Sequence, residues 1–235
     1  LLWIHAASVG EANSVLALIH RVRNDYPRLH VLLTTGTVTS AQIMKKNLPS
    51  GVIHAYVPID TLEATERFMR HWHPDVAWFV ESELWPNLIL AAKRYHCFMA
   101  LLNARMSQRS YTTWYKHRKA AHDIFKSFYV TFAGSNEDAS RLRNLGMERV
   151  IVAGNLKFDA PALPCDEGAL LSLSQMLQGR RVWLAASTHP KEEMLIARAH
   201  EWIAQRIPGL LTVVVPRHAA RGDEVTKLLS SHGAV

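Results

Sequence analysis

The chain has 235 residues, 49% hydrophobic and 20% charged, the proportions of an ordinary globular protein rather than a disordered or fibrous one. Its 27 Lys and Arg outnumber its 20 Asp and Glu, but they are scattered without interleaved aromatics. That pattern argues against a nucleic-acid stripe and for phosphorylated small molecules or anionic lipid head groups. Cys97 and Cys165 form neither a metal spacing nor a disulfide framework, and no apolar stretch of about 18 residues or signal peptide is present.

The chain opens on an apolar strand, Leu2–Ala6, which runs into Ala7-Ser-Val-Gly-Glu11. Gly10 is read as the turn and Glu11 as the start of an amphipathic helix, Ala12–Asp25. A carboxylate there sits at the positive end of a helix dipole, at the carboxyl edge of a sheet where open α/β folds bind ligands. It suits a general base, or equally a favourable first-turn Glu with no chemistry. Further strands are predicted at Val31–Thr35, Val52–Val57, Val76–Val80, Phe98–Leu102, Phe128–Ala133, Val150–Val152, Val182–Ala186 and Leu211–Val215. Helices are predicted at Ser40–Asn47, Leu62–Trp72, Pro86–Tyr95, Glu137–Leu145, Gly168–Leu177, Lys191–Arg206 and Asp223–Ser231.

Continuous apolar strands alternating with helices define an α/β protein with a mostly parallel sheet covered on both faces. The segment Phe158–Glu167, with Pro161 and Pro164, breaks the pattern, so domains are expected at 1–159 and 160–235. The second holds about two strands, too few for a well-covered parallel sheet. With no initiator Met, the chain reads as a piece of a larger two-domain protein.

Polar groups gather at the predicted strand ends. Glu81-Ser-Glu-Leu-Trp-Pro-Asn87 puts two carboxylates beside a helix-starting Pro86, and one of them is expected to cap that helix. Asn103-Ala-Arg-Met-Ser107 offers an amide, a guanidinium and a hydroxyl, or a capped helix start with a surface Arg. Lys157, in Gly154-Asn-Leu-Lys-Phe-Asp159, can contact an anion or be an ordinary solvated Lys. Ser187 and Thr188 make either a cap or a phosphate site, and Arg217, after Pro216, can hold a phosphate bidentately. No pair of Asp residues has metal-ligand spacing.

Taken in order, Ser8-Val-Gly-Glu11, Glu81-Ser-Glu-Leu-Trp-Pro-Asn87, Asn103-Ala-Arg-Met-Ser107, Gly154-Asn-Leu-Lys-Phe-Asp159, Ala186-Ser-Thr-His189 and Pro216-Arg-His218 resemble the 3-deoxy-D-manno-octulosonic acid (Kdo) transferases of lipopolysaccharide synthesis. The resemblance implies a GT-B fold of two Rossmann-like domains, the second incomplete in this chain. Residues 1–159 then form the acceptor-binding domain and 160–235 part of the CMP-sugar donor domain. It implies an inverting enzyme that moves Kdo from CMP-Kdo to a lipid A precursor on the cytoplasmic face of the bacterial inner membrane. No metal and no cofactor are implied. Glu11 matches the catalytic base, Glu81 and Lys157 match groups that stabilise the transition state, and Pro216 and Arg217 match part of the CMP site. Ser187 and Thr188 are assigned to the donor's anionic end. Trp72, Tyr111, Trp114 and Tyr115, with Lys116, Arg118 and Lys119, form either a face for the lipid acceptor or membrane, or core aromatics beside solvated charges. Two alternatives remain: a GT-B transferase or epimerase using another sugar nucleotide, and a non-catalytic module binding anionic lipid or nucleic acid.

Overall fold

All four residues of β1 (Leu2–His5) and all five of β2 (Val31–Thr35) are buried, as expected of central parallel strands covered on both faces. The computed structural model describes residues 1–159 and 165–230 and divides into two units, Leu1–Ala162 and Leu163–Val235. In the first unit β1 and β2 are joined by α1 (Val9–Asp25), and α2 (Val38–Asn47) leads to β3 (Val52–Tyr56). Then come α3 (Leu62–Trp72), β4 (Val76–Val80), α4 (Pro86–Arg94) and β5 (Phe98–Ala104). Two short helices, α5 (Gln108–Lys116) and α6 (Arg118–Phe125), precede β6 (Phe128–Ala133), α7 (Asn136–Asn144), β7 (Val150–Val152) and a 3-10 turn at Leu156–Asp159.

The strands lie in the order β3-β2-β1-β4-β5-β6-β7 and every neighbouring pair is parallel. The chain therefore builds outward from β1 to β3, crosses back, and builds outward again from β4. The reversal leaves a crevice beyond the carboxyl ends of β1 and β4, the usual ligand position in such sheets. Alternating residues divide the core: Leu2, Ile4, Val31 and Leu33 pack under α1 and α2, while Trp3, Leu32, Ala77 and Phe79 pack with α3, α4, α6 and α7. Trp3 and Phe79 meet edge to face with centroids 5.2 Å apart.

The second unit contains α8 (Glu167–Leu177), β8 (Val182–Thr188), α9 (Glu192–Ala204), β9 (Leu211–Pro216), a 3-10 turn at Ala219–Arg221 and α10 (Gly222–Ser230). Among the described residues its sheet is the single parallel pair β8-β9.

Several expectations are revised. Helix α1 begins at Val9 with Ser8 as its cap, so Gly10 lies inside the first turn and the chain reverses at Ala7 and Ser8. Helices α5 and α6 carry no counterpart in the sequence reading. Trp72, Tyr111 and Trp114 pack against the core, Trp114 edge-on to Phe125 at 5.4 Å, whereas Tyr115 is exposed beneath the Arg118 guanidinium. The aromatics thus divide between core and surface rather than forming one face. Cys97 is buried just before β5, and burial pushes its thiol up to about 12, which makes it inert. Pro161 and Pro164 lie outside the described residues, as does Ser231. No helix among the described residues is long and apolar enough to cross a membrane.

Candidate active site

Ser8 and Glu11 form a reciprocal cap at the start of α1. Glu11 N donates to Ser8 Oγ at 3.2 Å, Ser8 Oγ donates to Glu11 Oε1 at 2.6 Å, and Ala7 N donates to Glu11 Oε2 at 2.9 Å. This is a variant of the Ser-x-x-Glu capping box whose signature is visible in Ser8-Val-Gly-Glu11, the carboxylate taking the Ala7 N–H and the Ser8 hydroxyl in place of the Ser8 N–H. Glu11 is 7% exposed, and each carboxylate oxygen already holds one donor. A carboxylate offers about four lone-pair positions, so acceptor capacity remains on both oxygens. A Cβ on Gly10 would meet nothing closer than Ser8 Oγ at 4.0 Å, so this residue leaves the mouth of the turn bare.

The adjacent turn is locked against this one. Gly36, after β2, donates its N–H to Ala7 O at 2.9 Å, and a Cβ there would sit 3.3 Å from the same oxygen. Thr37 then caps α2 through Ser40 N at 3.1 Å.

Beyond β4, Glu81 adopts a left-handed backbone with φ 58°, and Asn103 at the end of β5 does the same with φ 51°. Such conformations cost non-glycine residues about 1–3 kcal/mol and cluster at functional sites. The two side chains meet: Asn103 Nδ2 donates to Glu81 Oε1 at 3.3 Å, and Lys157 Nζ lies 2.7 Å from the same oxygen. Lys157 arrives there because Leu156, its neighbour in the 3-10 turn, packs on the apolar cluster beneath α1. Asn103 Oδ1 is buried without a hydrogen-bond partner among the described residues.

Neither Glu81 nor Glu83 caps α4, contrary to expectation. Its N-cap position is Trp85, which gives no side-chain bond. Asp60 supplies the cap from the loop before α3: its carboxylate accepts from Leu88 N at 2.8 Å and Asn87 N at 3.3 Å. The two glutamates are thereby left to the crevice. Glu83 Oε2 accepts from Trp85 Nε1 at 2.5 Å and lies 3.9 Å from His5 Nε2. Burial raises the Glu83 carboxyl above the usual range, Trp85 opposes that, and the charges of Glu11 and Glu81 push it further up. Three carboxylates and one lysine therefore share the switch point. His5 and Asp60 are site residues that sequence reading did not single out, whereas Asn103 is the amide it expected at the end of the fifth strand.

The second unit's residues are reported for that unit alone. Ser187 has a left-handed backbone at φ 60°. Thr188 is buried, and its hydroxyl donates to Glu193 Oε1 at 3.0 Å, where Arg221 Nη1 also donates at 2.8 Å. The N-cap of α9 is Lys191, without a side-chain bond, and Glu192 and Glu193 occupy its first turn, so Ser187 and Thr188 do not cap that helix. Pro216 ends β9, and Arg217 donates its N–H to Thr188 O at 3.0 Å while its side chain is exposed and makes no ion pair among the described residues. No group of three potential metal ligands converges among the described residues.

Solved structures place this architecture in a class. UDP-GlcNAc 2-epimerase from Neisseria meningitidis, bound to UDP-GlcNAc, superposes with TM-score 0.66 at 14% identity over 98% of this chain and 69% of its own. A glycosyltransferase from Rickettsia africae gives 0.65 at 12% identity over 99% and 65%. The fold is that of the GT-B glycosyltransferases and epimerases. Within that class the chain belongs to the 3-deoxy-D-manno-octulosonic-acid transferase (kdotransferase) family, whose profile matches residues 1–160. The 3-deoxy-D-manno-octulosonic acid transferase of Rickettsia felis is 35% identical over 232 residues, 99% of this chain and 50% of that protein. The chain thus spans about half the length of the curated relatives it matches.

Proposed function

We propose that the protein containing this chain is an inverting glycosyltransferase that moves Kdo from CMP-Kdo to the lipid A precursor lipid IVA, at the cytoplasmic face of the bacterial inner membrane. The observation that carries this reading is the arrangement at the β1/β4 switch point, where Glu11, Glu83 and the Glu81–Lys157 pair converge in a chain of the kdotransferase family.

In this scheme Glu11 takes the proton of the acceptor hydroxyl as its oxygen attacks the anomeric carbon, and the bond from that carbon to the CMP phosphate breaks. The transition state gathers positive charge on the sugar ring and negative charge on the departing nucleotide. Glu81, held by Asn103 and Lys157, faces the first, and Lys157 is a cation for the sugar carboxylate or the phosphate. In the second unit Pro216 and Arg217 serve the CMP moiety, and the Ser187 hydroxyl serves its anionic end. Thr188 already gives its hydrogen to Glu193, so its part there is to shape the strand end beside Ser187. No metal or other cofactor enters the scheme.

The test is turnover by the full-length protein, following CMP release from CMP-Kdo with lipid IVA. Glu11→Gln should fold and bind CMP yet lose turnover by about 10²–10⁴-fold, the contribution of a general base. Parental turnover by that variant would remove Glu11 from the mechanism. Turnover with UDP-sugars but not CMP-Kdo would replace the donor assignment.

A further inference from the structure

His5 has no place in the mechanism above, although it is wholly buried beneath the site. Its ring lies against Trp3 and Phe79, with centroids 6.3 and 5.9 Å away. Nδ1 is 3.0 Å from Thr34 Oγ1, while Nε2 is buried without a hydrogen-bond partner among the described residues. The polar atom that Nε2 faces is Glu83 Oε2, 3.9 Å away. Burial lowers the His5 pKa to about 4, so the ring carries one hydrogen at neutral pH.

The atoms around each nitrogen bear on which one holds it. Trp3 Nε1 donates to Thr34 Oγ1 at 2.9 Å, leaving that hydroxyl one hydrogen to give. Its choices are His5 Nδ1 at 3.0 Å and Ile4 O at 3.5 Å, and the second is outside good geometry. With Nδ1 accepting from Thr34 Oγ1, Nε2 carries the hydrogen toward the Glu83 carboxylate, whereas the opposite tautomer, with Nδ1–H given to Thr34, sets a bare lone pair against that carboxylate; the assignment to Nε2 is part of the proposal. We propose that His5 is a positioning residue for Glu83: its Nε2–H and the Trp85 indole N–H converge on Oε2 and leave Oε1 as the oxygen open to the reaction. Glu83 Oε1 has no hydrogen-bond partner among the described residues. At 3.9 Å the two atoms are not hydrogen-bonded, so the proposed role requires this separation to close in the substrate complex, as apo catalytic contacts commonly do. The groups that set the Glu83 charge are His5 on β1, Glu11 on α1, Glu81 beside it with Lys157, and Trp85. The inference rests on the proposed transferase reaction.

Two conservative substitutions separate the roles of the ring. The Gln amide nitrogen can stand where Nε2 stands, whereas Asn reaches only the Nδ1 position. In the full-length protein His5→Gln should keep CMP release from CMP-Kdo within about threefold of the parent. His5→Asn should lower kcat about tenfold with KM unchanged, the loss of one charge-assisted hydrogen bond. Its acidic limb of rate against pH should move to higher pH, because the donor favours ionised Glu83. Equal losses in both variants, or none in either, would overturn the proposal. The tautomer is read without turnover, from histidine-labelled full-length protein by 15N NMR, with the His5 signal identified by its loss in His5→Gln. A hydrogen on Nδ1 would overturn the proposal even if neither variant folds. A parent that turns over no CMP-Kdo would defeat the transferase reading instead, and the NMR result would still decide the tautomer.

Discussion

Asp60 is a cap acting across sequence, and removing it has a calculable cost. Asp60→Ala leaves the N–H groups of Asn87 and Leu88 without a side-chain acceptor, since Trp85 provides none. These are the second and third helical positions of α4, the two that an ordinary cap satisfies, and loss of such a cap costs about 0.5–2 kcal/mol. The carboxylate also sits at the positive end of α4, which contributes about 0.3–1 kcal/mol more. A total near 2 kcal/mol lowers the melting temperature by roughly 4–8 °C in a domain of this size. Asp60→Asn keeps an acceptor for Leu88 N and loses the charge, so its cost should be about half. Thermal unfolding followed by circular dichroism, with urea titration for free energies, measures both. If Asp60→Ala melts within 1 °C of the parent, or Asp60→Asn costs as much as Asp60→Ala, the claim that Asp60 caps α4 and frees both glutamates is wrong.

Two further predictions use the same assays. At Glu81, φ 58° reverses the usual order of small residues: Glu81→Gly should be more stable than Glu81→Ala by about 1 kcal/mol in urea titration, while both variants lose turnover. In the second unit Arg221 and Thr188 hold the Glu193 carboxyl below its ordinary value of 4.5, Arg221 being the larger influence. A depressed folded-state pKa means stability that is present above pH 4.5 and is lost as pH falls through the lowered value. Glu193→Gln should flatten that acid limb of the stability curve, and an unchanged limb would refute the assignment.

The alternation of strands and helices was legible because each parallel strand is mostly apolar and each amphipathic helix carries its own period. Strands Val31–Thr35, Val76–Val80, Phe128–Ala133 and Val150–Val152 match their predicted bounds. Helices α5 and α6 escaped because α5 is mostly polar and buries no residue fully, and the apolar anchors Tyr111, Trp114, Ile124 and Phe125 are divided between two helices that meet at His117. The start of α1 was misplaced for a different reason. Gly10 resembles a turn residue, yet the reciprocal Ser8–Glu11 cap stabilises helix from Val9 onward, and that cap was readable from the four residues alone.

What sequence reading could not reach was the contribution of distant residues to the site. Nothing local to Glu81-Ser-Glu-Leu-Trp-Pro-Asn87 reveals that Asp60, 27 residues before Asn87, removes the structural duty from both glutamates. Nothing local to His5 reveals Thr34, 29 residues away on the neighbouring strand, or Glu83 above it. These partners are set by strand order: β2 and β4 flank β1, so the ends of three strands distant in sequence become neighbours. The motifs supply carboxylates, and the sheet order decides which of them is held, which is paired, and which keeps an oxygen open. Glu11 is held at both oxygens by its own helix turn, Glu81 is paired with Lys157 through Oε1 only, and Glu81 Oε2 and Glu83 Oε1 are the oxygens without a partner among the described residues. For that reason the charges of Glu11 and Glu81 are part of what raises the Glu83 carboxyl, and a variant at either neighbour should act on Glu83 as well as on its own proposed role.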